Sequence, residues 1–75
     1  MSVQYRVAFG KKDEAVEGPD DADLVVWIGV EHAGLDPSVA YMQGKLKATG
    51  HTVALFDVLK NGEAAAAISR LASRP

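Results

Sequence analysis

The first part of the chain alternates between apolar and polar residues in a way that predicts a β-hairpin. Apolar side chains recur at every second position from Val3 to Phe9, which is the period of a half-buried strand. The glycine and two lysines that follow predict a turn, and residues 13–17 are short enough to return as a second strand.

A turn cluster, GPDDAD at residues 18–23, separates this hairpin from a run that is apolar on both faces. Residues 24–30 read LVVWIGV, a pattern expected of a strand that is covered on both sides, or on one side with a partner on the other. This run is the longest apolar stretch of the chain, and a membrane span needs about 20 residues. We therefore predict an internal strand and no membrane span.

Residues 40–49 fit two templates, and their alternation favours a strand. One strand face would collect Ala40, Met42, Gly44, Leu46 and Ala48, and the other face would be polar or amphipathic throughout. The helical alternative has three apolar anchors, Val39, Met42 and Leu46, and carries a central glycine that costs about 1 kcal/mol. We expect a strand in which Gly44 marks a bend or a close backbone approach.

The remainder of the chain has helical rather than alternating periodicity. A broad apolar stripe follows Gly50 and ends at Asn61 and Gly62, and a second, weakly amphipathic helix is expected from Glu63 to Ser73. Together the segments predict an α+β fold in one domain spanning residues 1–75. Its mostly antiparallel sheet of three to four strands carries two C-terminal helices on one face.

A different assignment of the same segments gives the alternative architecture. With residues 38–49 as helix and 52–58 as strand, the chain would be a βαβα fragment of a doubly wound sheet. Such sheets bind ligands at the turn after a strand, but the turn GVEHAG here has no glycine-rich phosphate loop.

Composition limits the chemistry available to the 75 residues. The chain has no cysteine and two histidines, so we expect no disulfide, no metal site and no cofactor. The net charge of −2 argues against nucleic acid as a partner, and the N-terminus has no signal-peptide pattern, which predicts a cytoplasmic location. The charge is uneven: the chain carries −5 through Asp36 and +3 from Pro37 onward.

No group of residues predicts catalysis. Glu31 and His32 are adjacent, with Asp36 close behind, but neighbours on an extended chain point apart and no nucleophile accompanies them. We therefore expect a solvent-exposed pair, no catalytic residues and no enzymatic activity.

Residues 35–50, LDPSVAYMQGKLKATG, resemble a signature of the sterol carrier protein type 2 family. The similarity rests on Asp36 and Pro37, on the run from Ala40 to Lys47, and on the closing Gly50. The chain resembles a shortened member that lacks the helix and strand with which the family's domain opens. The resemblance implies a lipid-binding α+β domain with an apolar cavity between its sheet and helices.

This resemblance implies non-catalytic binding or transfer of a hydrophobic small molecule, such as a fatty acyl chain or a sterol. A homodimer would supply walls that so short a chain lacks, with Trp27 as the best single anchor of the interface. The expected ligand-binding residues are Val26, Trp27, Ile28, Met42, Leu46, Val53, Phe56 and Leu59. The alternative is a small dimeric scaffold or accessory protein that has lost the ligand cavity.

Overall fold

A computed structural model describes residues 2–73 of the chain. The strands are β1 (Val3–Gly10), β2 (Asp13–Glu17), β3 (Leu24–Gly29) and β4 (Leu46–Gly50). The helices are α1 (Pro37–Met42), α2 (Thr52–Lys60) and α3 (Glu63–Ala72), and a short 3₁₀ turn at Val30–His32 follows β3.

The strands form one sheet in the order β2-β1-β3-β4. The outer pairs, β1 with β2 and β3 with β4, are antiparallel, and the central pair of β1 and β3 is parallel. The predicted α+β fold with a mostly antiparallel sheet is therefore confirmed. The βαβα alternative does not form, because residues 52–60 are helical.

One face of the sheet packs against α2 and α3, and the core lies between these layers. The alternation along β1 and β3 points every second side chain to this face, where Tyr5, Val7 and the side chains of β3 lose nearly all contact with solvent. The fully enclosed members include Val7, Leu24, Val26 and Ile28 from the sheet and Ala64, Ala67 and Ile68 from α3. The two predicted C-terminal helices on one face are thus confirmed.

The strand expected over residues 40–49 is wrong in its first half. Residues 37–42 form α1, and the strand begins only at Leu46. The Asp36 side chain caps the helix, since its Oδ1 accepts a hydrogen bond of 2.8 Å from the backbone N–H of Ser38. Pro37 occupies the first turn, and Gly44, at φ +75°, lies in the left-handed conformation just past the helix end.

The other face of the sheet has no helix packed on it within residues 2–73 and is covered by its own polar side chains. The Arg6 guanidinium donates to Gln4 at 2.8 Å and to the Glu14 carboxylate at 3.2 Å, while the Lys47 ammonium lies 5.6 Å from the centroid of the Trp27 ring. Trp27 is consequently half-buried without a second chain.

A bidentate ion pair holds α3 against the hairpin. The Arg70 guanidinium donates to both carboxylate oxygens of Glu17, at 3.2 and 2.6 Å. This hydrogen bonding to Arg70 lowers the pKa of the Glu17 carboxyl. The pair joins β2 at the sheet edge to the last turn of the chain's final helix.

Candidate functional site: an apolar groove between α1 and α2

The short helix α1 lies beside α2 and creates a groove with a volume of about 410 Å³. Its walls come from both helices: Ser38, Tyr41, Met42, Phe56, Leu59 and Lys60. The rings of Tyr41 and Phe56 meet edge to face, with centroids 6.4 Å apart and an interplanar angle of 89°. This contact fixes the two helices relative to each other at the groove.

Large apolar side chains around the groove remain in contact with solvent. Met42 is 76% exposed, Val53 is 61% exposed and Phe56 is 53% exposed. Val39 and Tyr41 of α1 are exposed to a smaller degree. Because Val39 and Met42 are three residues apart on α1, as are Val53 and Phe56 on α2, these five residues form one continuous surface, which we call the outward patch.

The polar groups at the groove are few. Ser38 contributes a hydroxyl from the start of α1, and Lys60 contributes an ammonium group from the last turn of α2. Asp57 lies one turn before Lys60 on α2 and does not line the groove. An apolar groove with a cation in its lining suits a ligand with a hydrocarbon body and a polar or anionic end.

The predicted ligand-binding residues separate into three locations. Met42, Phe56 and Leu59 are brought together in the groove, and Val53 lies beside them in the outward patch. Val26, Ile28 and Leu46 are packed in the core. Trp27 lies on the opposite face of the sheet.

Sequence reasoning missed three groove residues, Ser38, Tyr41 and Lys60. Assignment of residues 40–49 to a strand placed Tyr41 on a polar strand face, opposite to Met42. The signals that locate Ser38 and Tyr41 were present in Pro37 and Gly44, which bracket a short helix, whereas Lys60 lies on α2.

Trp27 lines a separate, smaller pocket of about 250 Å³ at the ends of β1 and β3. Its other lining residues are Ala8, Phe9, Gly10, Lys11, Gly29 and Glu31. Three of these have a side chain no larger than a methyl group, which leaves a shallow depression beside the indole ring. This pocket is less apolar than the α1–α2 groove, and no predicted residue other than Trp27 reaches it.

The charged pair considered in the sequence lies apart from the groove. His32 Nε2 is 3.8 Å from Glu31 Oε1, which is beyond hydrogen-bond distance. Across residues 2–73, no three His, Cys, Asp or Glu side chains group closely enough to hold a metal ion. None of the helices in this part of the chain is long and apolar enough to cross a membrane.

Comparison with protein-family models gave no match, and comparisons with curated proteins and with solved structures likewise gave none.

Proposed function

We propose that the chain binds a hydrophobic small molecule in the α1–α2 groove without catalysing a reaction on it, and that two copies act together. The observation that carries the proposal is the exposure of Met42 and Phe56 on the walls of an apolar groove. The likeness of residues 35–50 to the sterol carrier family supports it, since these residues build α1 and β4. We retain a cytoplasmic location as part of the proposal.

The size of the groove supports a small ligand. Pockets for small molecules have volumes of roughly 300–1,000 Å³, and the groove of about 410 Å³ falls at the lower end of that range. Binding there would cover Met42 and Phe56. Each Å² of apolar surface removed from water contributes a favourable free energy of roughly 25 cal/mol. A single fatty acyl chain suits this volume, with its polar end toward Lys60.

The runner-up function is a dimeric scaffold that binds no ligand. It is favoured by the width of the outward patch, which continues to Val39 and Val53 beyond the groove. Exposed apolar patches of this kind occur at protein–protein interfaces as well as at ligand-binding sites.

Displacement of a fluorescent fatty acid, measured alongside light scattering, tests the ligand proposal. We expect saturable uptake at micromolar concentration and at least about tenfold weaker uptake by Met42→Glu, because the variant places a carboxylate in the groove. Val16→Glu is the matched control, since Val16 is 44% exposed on β2, away from the groove.

The combined results separate the carrier from the scaffold. A dimer that takes up no fatty acid contradicts the carrier and favours the scaffold. A monomer without uptake contradicts both proposals. Equal losses in Met42→Glu and Val16→Glu would show that uptake does not occur in the groove.

A further inference from the structure

The solvent-facing side of α2 carries two apolar and two oppositely charged residues on one stripe. Val53, Phe56, Asp57 and Lys60 are spaced by three and four residues, so they share a helix face. All four are exposed, while Ala54, Leu55 and Val58 on the other side are buried in the core.

The two charges on this stripe, Asp57 and Lys60, take part in none of the ion pairs formed among residues 2–73. They are three residues apart on one helix, which separates them by about 4.5 Å along its axis. Two copies of α2 packed antiparallel reverse this order, which brings the aspartate of each helix within side-chain reach of the lysine of the other.

We propose that a second copy of this chain docks on the outward patch, with the two α2 helices antiparallel about a two-fold axis near Phe56. Phe56 packs against Phe56 of the second copy, and Val53 lies at the edge of the contact. Each Lys60 reaches Asp57 of the other copy, because helical side chains lean toward the N-terminus of their own helix. The contact is therefore self-complementary in shape and in charge, as a symmetric dimer requires.

The charges on the stripe favour a second copy of the chain over other binding partners with an apolar surface. One acid and one base give the exposed face of α2 no net charge, whereas an anionic bilayer or an acidic helix would favour lysines without an intervening aspartate. The open sheet face is the other surface for a second copy, but there the Lys47 ammonium already lies over the ring of Trp27.

Docking at this place completes the groove. The groove opens on the same side of α2 as Phe56, so the second copy forms a roof over Met42 and Phe56. This inference rests on the proposed pairing of two copies. Association is measured without any ligand, so failure of association is distinguished from failure of ligand uptake.

The test is a charge exchange followed by sedimentation equilibrium. Asp57→Lys places four lysines in the contact and Lys60→Glu places four carboxylates there. We expect each variant alone to dimerise at least about tenfold more weakly than the unmodified chain. An equimolar mixture restores opposite charges at both positions and should form a 1:1 heterodimer with nearly the original affinity.

The mixture also controls for folding, because a misfolded variant cannot form the heterodimer. Two further variants, Val16→Glu and Thr49→Glu, place charge on the open sheet face and should leave dimerisation unchanged. A monomeric unmodified chain at micromolar concentration overturns the proposal. It is also overturned if the sheet-face variants abolish the dimer, or if the mixture stays as weak as its components.

Discussion

Tyr5 is a core residue whose polar atom has no partner. The side chain is 4% exposed, and its hydroxyl is the buried side-chain polar atom without a hydrogen bond within residues 2–73. Burial, reinforced by the carboxylates of Glu63 and Glu17 and opposed by Arg70, raises the pKa of Tyr5 from 10.0 to about 12.

We expect Tyr5→Phe to stabilise the fold by about 1 kcal/mol at neutral pH, because it removes an unsatisfied hydroxyl and retains the ring. Urea unfolding at one protein concentration measures this difference. Tyr41→Phe is the control, since Tyr41 is 37% exposed and its hydroxyl need not lose water. A loss of stability in Tyr5→Phe larger than in Tyr41→Phe would contradict this account.

The same substitution changes the alkaline limb of the stability profile. Because the folded pKa of Tyr5 lies above the unfolded value, its protonated form contributes stability that is present below pH 10 and is lost as pH rises toward 12. Tyr5→Phe should lack this component of the decline, and an unchanged decline between pH 10 and 12 would exclude it.

At the scale of the element, α1 shows where a periodic pattern is insufficient. Residues 40–49 alternate well enough to predict a strand, yet only Leu46–Gly50 form one. The helix is set by its ends: the Asp36 cap, Pro37 in the first turn and Gly44 beyond the last. Gly44 ends the helix. The cost of about 1 kcal/mol for a glycine inside a helix therefore does not apply to it.

Gly44→Ala discriminates between the two conformations. At φ +75° an alanine is strained, so we expect a destabilisation of about 1 kcal/mol, whereas in a strand the same change would be stabilising. Gly34→Ala is a matched control: neither glycine has an atom within 4 Å of an added Cβ, but only Gly44 has a positive φ. Chemical denaturation of both variants gives the comparison, and equal effects would contradict the assignment of α1.

The hairpin, β3 and the two C-terminal helices were predictable because the hydrophobic pattern of each favours the conformation that it adopts. The alternation from Val3 to Phe9 has no helical counterpart, and Asn61 with Gly62 ends α2 where expected. The parallel pairing of β1 with β3 was not predictable. The β1–β2 hairpin leaves the second edge of β1 free, and the sequence does not indicate the direction in which residues 24–29 pair with that edge.

At the scale of the whole molecule, the site was only partly predictable. Met42, Phe56 and Leu59 were expected to meet a ligand and do line the groove, while Val26 and Ile28 are equally apolar and lie in the core. Residue type alone does not separate these groups, since both faces of β3 are apolar in sequence. Only the packing of α2 and α3 decides which face is enclosed and which side chains remain on the surface.

The central claim is that the outward side of α1 and α2 is the binding surface of this protein. Amide NMR shifts recorded while decanoate is added below its micellar concentration test it directly. The account predicts saturable shifts centred on Ser38, Met42, Phe56, Leu59 and Lys60, with little change at Trp27 and Lys47. Shifts centred on the open sheet face, or none at saturating decanoate, would contradict it.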